Sequence, residues 1–118
     1  MSISSIHAHK FYQEVAKMKK VWTIKDNGGF PAPKNSSGTR SQPFWSSKSR
    51  VEKIIQNVSA YNSFEPYEID LDIFIERWLV GLQKDEILIG VKWSGERATG
   101  YDIDSKTVKE AIEHQIKI

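Results

Sequence analysis

Helical and strand periodicities alternate along one short chain, and this predicts an α+β domain: a small mixed or antiparallel sheet of about four to five strands covered by about four helices. Three observations carry that expectation. Leu71, Phe74, Ile75, Trp78, Leu79 and Leu82 recur at i, i+3, i+4, i+7, i+8 and i+11, the spacing of a helix with one buried face. The run Ile87-Leu88-Ile89-Gly90-Val91-Lys92-Trp93 is almost continuously apolar, as a central strand covered on both sides requires. Finally, a strand, cap and helix pattern recurs in Phe44-Trp45-Ser46-Ser47, Tyr67-Glu68-Ile69-Asp70 and Tyr101-Asp102-Ile103-Asp104. Each unit starts with an aromatic residue and reaches a good N-cap three positions later, and apolar residues follow at i, i+4 spacing on the next helix.

In chain order, Ser5 is placed to cap a helix running to about Lys19, with Ala8, Phe11, Tyr12, Val15 and Met18 on one side. Lys17, Lys19 and Lys20 suit the negative end of its dipole and need no ligand to explain them. Val21 to Ile24 reads as a strand. Residues 26–43 then form a long Gly/Pro/Ser-rich loop, holding three of the seven glycines and three of the four prolines. Within it, Asp26-Asn27-Gly28-Gly29 reads as a turn and Pro31-Ala32-Pro33 as extended chain, while Asn35-Ser36-Ser37-Gly38 reads as a flexible tip. Phe30 has little to gain from water and should pin the loop to the body. The chain returns through Arg40 to Trp45, and a helix starting after Ser47 buries Val51 and Ile55. The helix from Leu71 to about Lys84 follows its Asp70 cap. The apolar strand comes next, then a turn region from Ser94 to Gly100. Tyr101 to Ile103 forms the last strand and leads into a helix with Val108, Ala111, Ile112 and Ile116 inward.

The 118 residues suffice for one core and one domain. No apolar run approaches the roughly 18 residues of a membrane span. The chain has no cysteine, which excludes disulfides, thiolate metal sites and a Cys nucleophile. No signal-peptide core follows Met1, so a cytoplasmic location is expected. Charge is unevenly spread: residues 1–60 carry 10 Lys/Arg against 3 Asp/Glu, and residues 61–118 carry 7 against 12. Within one domain the two halves should interleave, since an excess of seven is modest beside nucleic-acid-binding domains.

The chain lacks the common phosphate-loop, dinucleotide, zinc-protease and calcium-loop signatures, and no catalytic residue, cofactor or metal site is expected. His7 and His9 point apart on the first helix, and His114 stands four residues after Glu110 on an exposed face. Glu68, Asp70, Asp72 and Glu76 could be paired carboxylates, but their places at a cap, in a first turn and on a solvated face explain them. One local rule is broken. Lys48 and Arg50 occupy a first helical turn, where the dipole disfavours cations. Trp45, Ser46, Ser47, Lys48, Ser49 and Arg50 therefore form a candidate site for an anion or a partner's carboxylate. The alternative is that Arg50 pairs with a carboxylate from the acidic half. A candidate apolar interface consists of Phe30, Ile73 and Val80, the last two lying nearly opposite the core stripe of their helix.

The words Phe11-Tyr12, Val21-Trp22-Thr23, Gly29-Phe30 and Pro43-Phe44-Trp45, followed by the long run from Tyr67 to Leu82 and then Ile89-Gly90-Val91, span nearly the whole chain. This pattern resembles a bacterial family catalogued as domain of unknown function 2750. Val80 departs from it, standing where the family has proline. The resemblance implies a small bacterial cytoplasmic domain and carries over no catalytic or binding residue. Three function classes follow, in order of support. The first is a non-enzymatic protein-interaction module, which could self-associate. The second is a binder of anions or single-stranded nucleic acid through the basic half, and the third is a small enzyme of unrecognised type.

Overall fold

The computed structural model describes residues 3–94 and 99–117, and the expected turn between Ser94 and Gly100 has its central residues outside them. Helix α1 (Ile3–Met18) already contains Ser5, so Ser5 does not cap it. Its C-terminal end is made by Lys19, whose φ of 61° turns the chain sharply while its N–H still donates to the Val15 carbonyl. That turn leaves Met18 exposed rather than on the buried face with Phe11 and Val15.

Strand β1 (Lys20–Lys25) follows at once, and β2 (Ser41–Phe44) returns after the long loop. The loop is shorter than residues 26–43, because Ser41, Gln42 and Pro43 belong to β2. Asp26 and Gly29 exchange backbone hydrogen bonds in its first turn, with Gly29 at φ 110°. Its tip is a bonded turn: the Asn35 side-chain carbonyl accepts from the Ser37 and Thr39 amides. Phe30 does pin the loop, its ring meeting those of Tyr67 and Trp78 edge-on at 5.2 and 4.8 Å.

Helix α2 (Lys48–Asn57) is capped by Ser47, whose hydroxyl accepts from the Arg50 amide at 3.4 Å, and a short 3-10 turn (Ser59–Tyr61) precedes β3 (Glu65–Asp70). Helix α3 is continuous through Leu71–Ile73, a π turn at Phe74–Trp78, and Leu79–Lys84. Its regular 3.6-residue spacing therefore breaks. The Leu79 amide reaches back five residues to the Phe74 carbonyl. The wider turn buries Phe74 and Leu79 together, while Ile75 and Trp78 are only half-buried. Asp70 occupies the cap position, but its carboxylate takes a hydrogen bond from Lys20 instead of a helix amide. Strands β4 (Leu88–Ser94) and β5 (Thr99–Ile103) lead to α4 (Ser105–Lys117). Asp104 caps α4, accepting from the Thr107 amide at 3.0 Å and the Thr107 hydroxyl at 2.7 Å. Ile116 near its end is exposed, not inward.

The five strands form two small sheets, where the sequence suggests one. β1 and β3 are antiparallel, with Lys20 opposite Asp70, while β4 lies between parallel β2 and antiparallel β5. The sheets touch where Trp22 and Trp45 exchange two backbone bonds of 2.8 Å. Continuing that ladder would require an amide from Pro43, which has none, and the Pro43 carbonyl is taken at 2.8 Å by the buried Thr23 hydroxyl.

Neighbouring residues of β2 and β4 feed two cores. Phe44, Ile89 and Val91 pack with Phe11, Phe74, Leu79, Val108 and Ile112. Trp45 and Trp93 pack with Ile24, Val51, Ile54 and Val58. Strict alternation would put Trp93 on the same side as Val91. The register shifts between Val91 and Ser94, and this bulge turns Trp93 onto the side of Gly90. A Cβ at Gly90 would sit 2.5 Å from the Trp93 indole, so only glycine leaves room for that ring.

Candidate functional site

A cleft of about 280 Å³ opens where α1, α2 and the ends of β2 and β4 converge. Phe11, Trp45, Ile54 and Trp93 give it aromatic and aliphatic walls; Ser46, Arg50, Lys53, Asn57 and Ser94 supply its polar groups. Helical spacing explains the polar edge: Arg50, Lys53 and Asn57 stand at i, i+3 and i+7 on α2 and share one face. The aromatic wall is held rigid by the Trp45 indole N–H, which donates to the Trp93 carbonyl at 2.9 Å.

Two polar groups here have unusual surroundings. Ser46 is only 5% exposed, and its hydroxyl makes no hydrogen bond among the described residues, although it lines the cleft. Arg50 lies 3.6 Å from Glu14 of α1, a loose contact that leaves the Glu14 Oε1 without a hydrogen bond among the described residues. The partner of Arg50 thus comes from the basic half of the chain, not from the acidic half. The halves meet elsewhere, where Lys20 pairs with both Glu68 and Asp70 across β1 and β3.

Of the six residues singled out from the broken dipole rule, Trp45, Ser46 and Arg50 come together in the cleft. Ser47 is occupied as the cap, its hydroxyl 3.2 Å from that of Ser49, and Lys48 is exposed. Among the apolar candidates, Phe30 is spent largely on Tyr67 and Trp78, while Ile73 and Val80 are 44% and 57% exposed on either side of the π turn. Sequence reasoning missed Phe11, Lys53, Ile54, Asn57, Trp93 and Ser94. The spacing from Arg50 to Lys53 and Asn57 could have been found on a helical wheel. Trp93 could not, because its direction depends on the bulge.

Among the described residues, no group of three or more His, Asp or Glu could hold a metal ion, and no helix is long and apolar enough to cross a membrane. Comparison with curated proteins and with solved structures returns no match. Comparison with protein families returns one described as a protein of unknown function, DUF2750, matched over residues 8–112. That span takes in both cores and every described residue of the cleft, and the chain belongs to the DUF2750 family.

Proposed function

We propose that this domain is a non-enzymatic protein-interaction module whose cleft receives an acidic segment of a partner, anchored by an apolar or aromatic side chain. The observation that carries this reading is the pairing of a rigid Trp45/Trp93 wall with Arg50 and Lys53 on one edge. Buried aromatic walls favour an apolar anchor, and two cations favour a partner of opposite charge. Ser46 adds a hydroxyl, unpaired among the described residues, that a carboxylate or peptide carbonyl could engage. The described lining residues include no carboxylate and no imidazole, and the neighbouring Glu14 carboxylate is engaged with Arg50.

Trp45 and Trp93 make the cleft its own reporter. A capped hexapeptide alternating glutamate and phenylalanine should change tryptophan fluorescence saturably, and the response should weaken at high salt. Replacing both cations, Arg50→Gln with Lys53→Gln, should weaken binding about ten-fold or more, ~1.4 kcal/mol. Equal binding of a glutamine-for-glutamate peptide, or preference for single-stranded oligothymidine, overturns the reading.

A further inference from the structure

Gln42 of β2 and Arg77, Trp78, Gly81 and Leu82 of α3 line a second, shallower cleft of about 290 Å³ that shares no residue with the first. Gln42 forms its floor. This residue is only 4% exposed, its Nε2 is enclosed without a partner, and its side chain makes no hydrogen bond among the described residues. A buried amide left unpaired is costly, and an apolar side chain of similar size would avoid that cost. Arg77, exposed on the same lining, has no ion-pair partner among the described residues. Trp78 is fixed by edge-on contacts with Phe30 and Phe44, at 4.8 and 6.1 Å. At Gly81 a Cβ would meet nothing within 4 Å, so the glycine keeps that side of the cleft low. Arg77 and Trp78 both belong to the π turn, a distortion found often at functional sites because it re-aims side chains.

We infer that this cleft is a second binding site, one that takes a carboxylate carried on an apolar body. Arg77 and the Gln42 amide donate to the carboxylate, and Trp78 and Leu82 pack against the body. Because the amide makes no hydrogen bond among the described residues, turning it by half a revolution breaks none of theirs and brings its N–H groups to the cleft. The inference is independent of the reading given to the first cleft.

Phenylacetate, with phenylacetamide as the uncharged control, tests it by amide chemical shifts of the nitrogen-labelled protein. Phenylacetate should move the resonances of Gln42, Arg77, Trp78, Gly81 and Leu82 saturably, and phenylacetamide should not. Arg77→Gln, at an exposed position, and Gln42→Met should each weaken binding at least ten-fold. Gln42→Met should melt no lower than the native chain, separating lost recognition from lost structure. A capped glutamate peptide that moves the same resonances more tightly than phenylacetate assigns the carboxylate to a polypeptide; weaker binding assigns it to a free acid. Absent shifts, native-like binding by Gln42→Met, or shifts confined to Ser46, Arg50 and Lys53 overturn the second site. The last outcome would leave the first cleft's reading intact.

Discussion

Gly90 and Trp93 decide more about the first cleft than any charged residue does. Trp93 reaches the cleft wall because the bulge rotates it and because Gly90 has no side chain to obstruct it. Gly90→Ala introduces a contact the buried indole cannot easily escape, and overpacking of this kind costs about 1–3 kcal/mol. Thermal unfolding should show that loss, and the tryptophan emission of the folded variant should shift as the ring leaves its place. Tyr12 illustrates a different residue-scale effect. Burial, reinforced by Asp104, pushes its phenol up to about 12. Between pH 10 and 12 the unfolded chain gives up that proton while the folded chain keeps it, so stability falls as pH rises. Denaturant titrations should show a shallower alkaline decline for Tyr12→Phe. A residual slope should remain, because burial also raises Tyr61 and hydrogen bonds to Asp70 and Glu68 raise Lys20. At the acid end, hydrogen bonds from Thr107 hold Asp104 below the usual carboxylate range, and that contribution is lost as pH falls through the lowered value.

At the scale of elements, the caps were half legible: Ser47 and Asp104 each accept the helix amide that their position predicts, whereas Ser5 lies inside its helix and the Asp70 carboxylate is taken by Lys20. Strand order along the chain was legible too, from apolar runs bounded by turn residues. The π turn was not. Phe74, Trp78 and Leu79 satisfy an α-helical stripe and a widened turn almost equally well, and the choice rests on burying Phe74 with Leu79 against other elements. Glu76 is exposed within that turn, so deleting it should restore ordinary α-helical spacing with Phe74 and Leu79 four apart. Circular dichroism should show a retained helix and cooperative melting. The same deletion should abolish phenylacetate binding, because Arg77 and Trp78 lose the directions that the wider turn gives them. The division of the sheet was hidden for a related reason: Pro43 and the β1 strand were both visible, but that they would lie side by side was not.

For the whole molecule, the alternating helical and strand periodicities correctly indicated an α+β fold, while the opposite charges of its halves gave little guide to function. Lys20 pairs with Glu68 and Asp70, and Arg50 with Glu14, so the basic half is partly neutralised within the fold, and among the described residues it brings two cations, Arg50 and Lys53, to the first cleft. Half of the broken-rule segment did reach that cleft. The other lining residues come from α1, α2 and β4, and their meeting is a property of packing that no local pattern records. The two cores join through Phe44 and Trp45, adjacent residues on opposite sides of the sheet, which makes the first cleft part of the rigid body and not an appended loop.

The most direct test of the interaction-module account is chemical-shift mapping with the alternating glutamate and phenylalanine peptide. The account predicts saturable shifts centred on Trp45, Ser46, Arg50, Lys53, Asn57 and Trp93, including the indole N–H of Trp45, and their loss in the Arg50→Gln, Lys53→Gln variant. Absence of shifts at these residues, or shifts that persist unchanged in that variant, would contradict it.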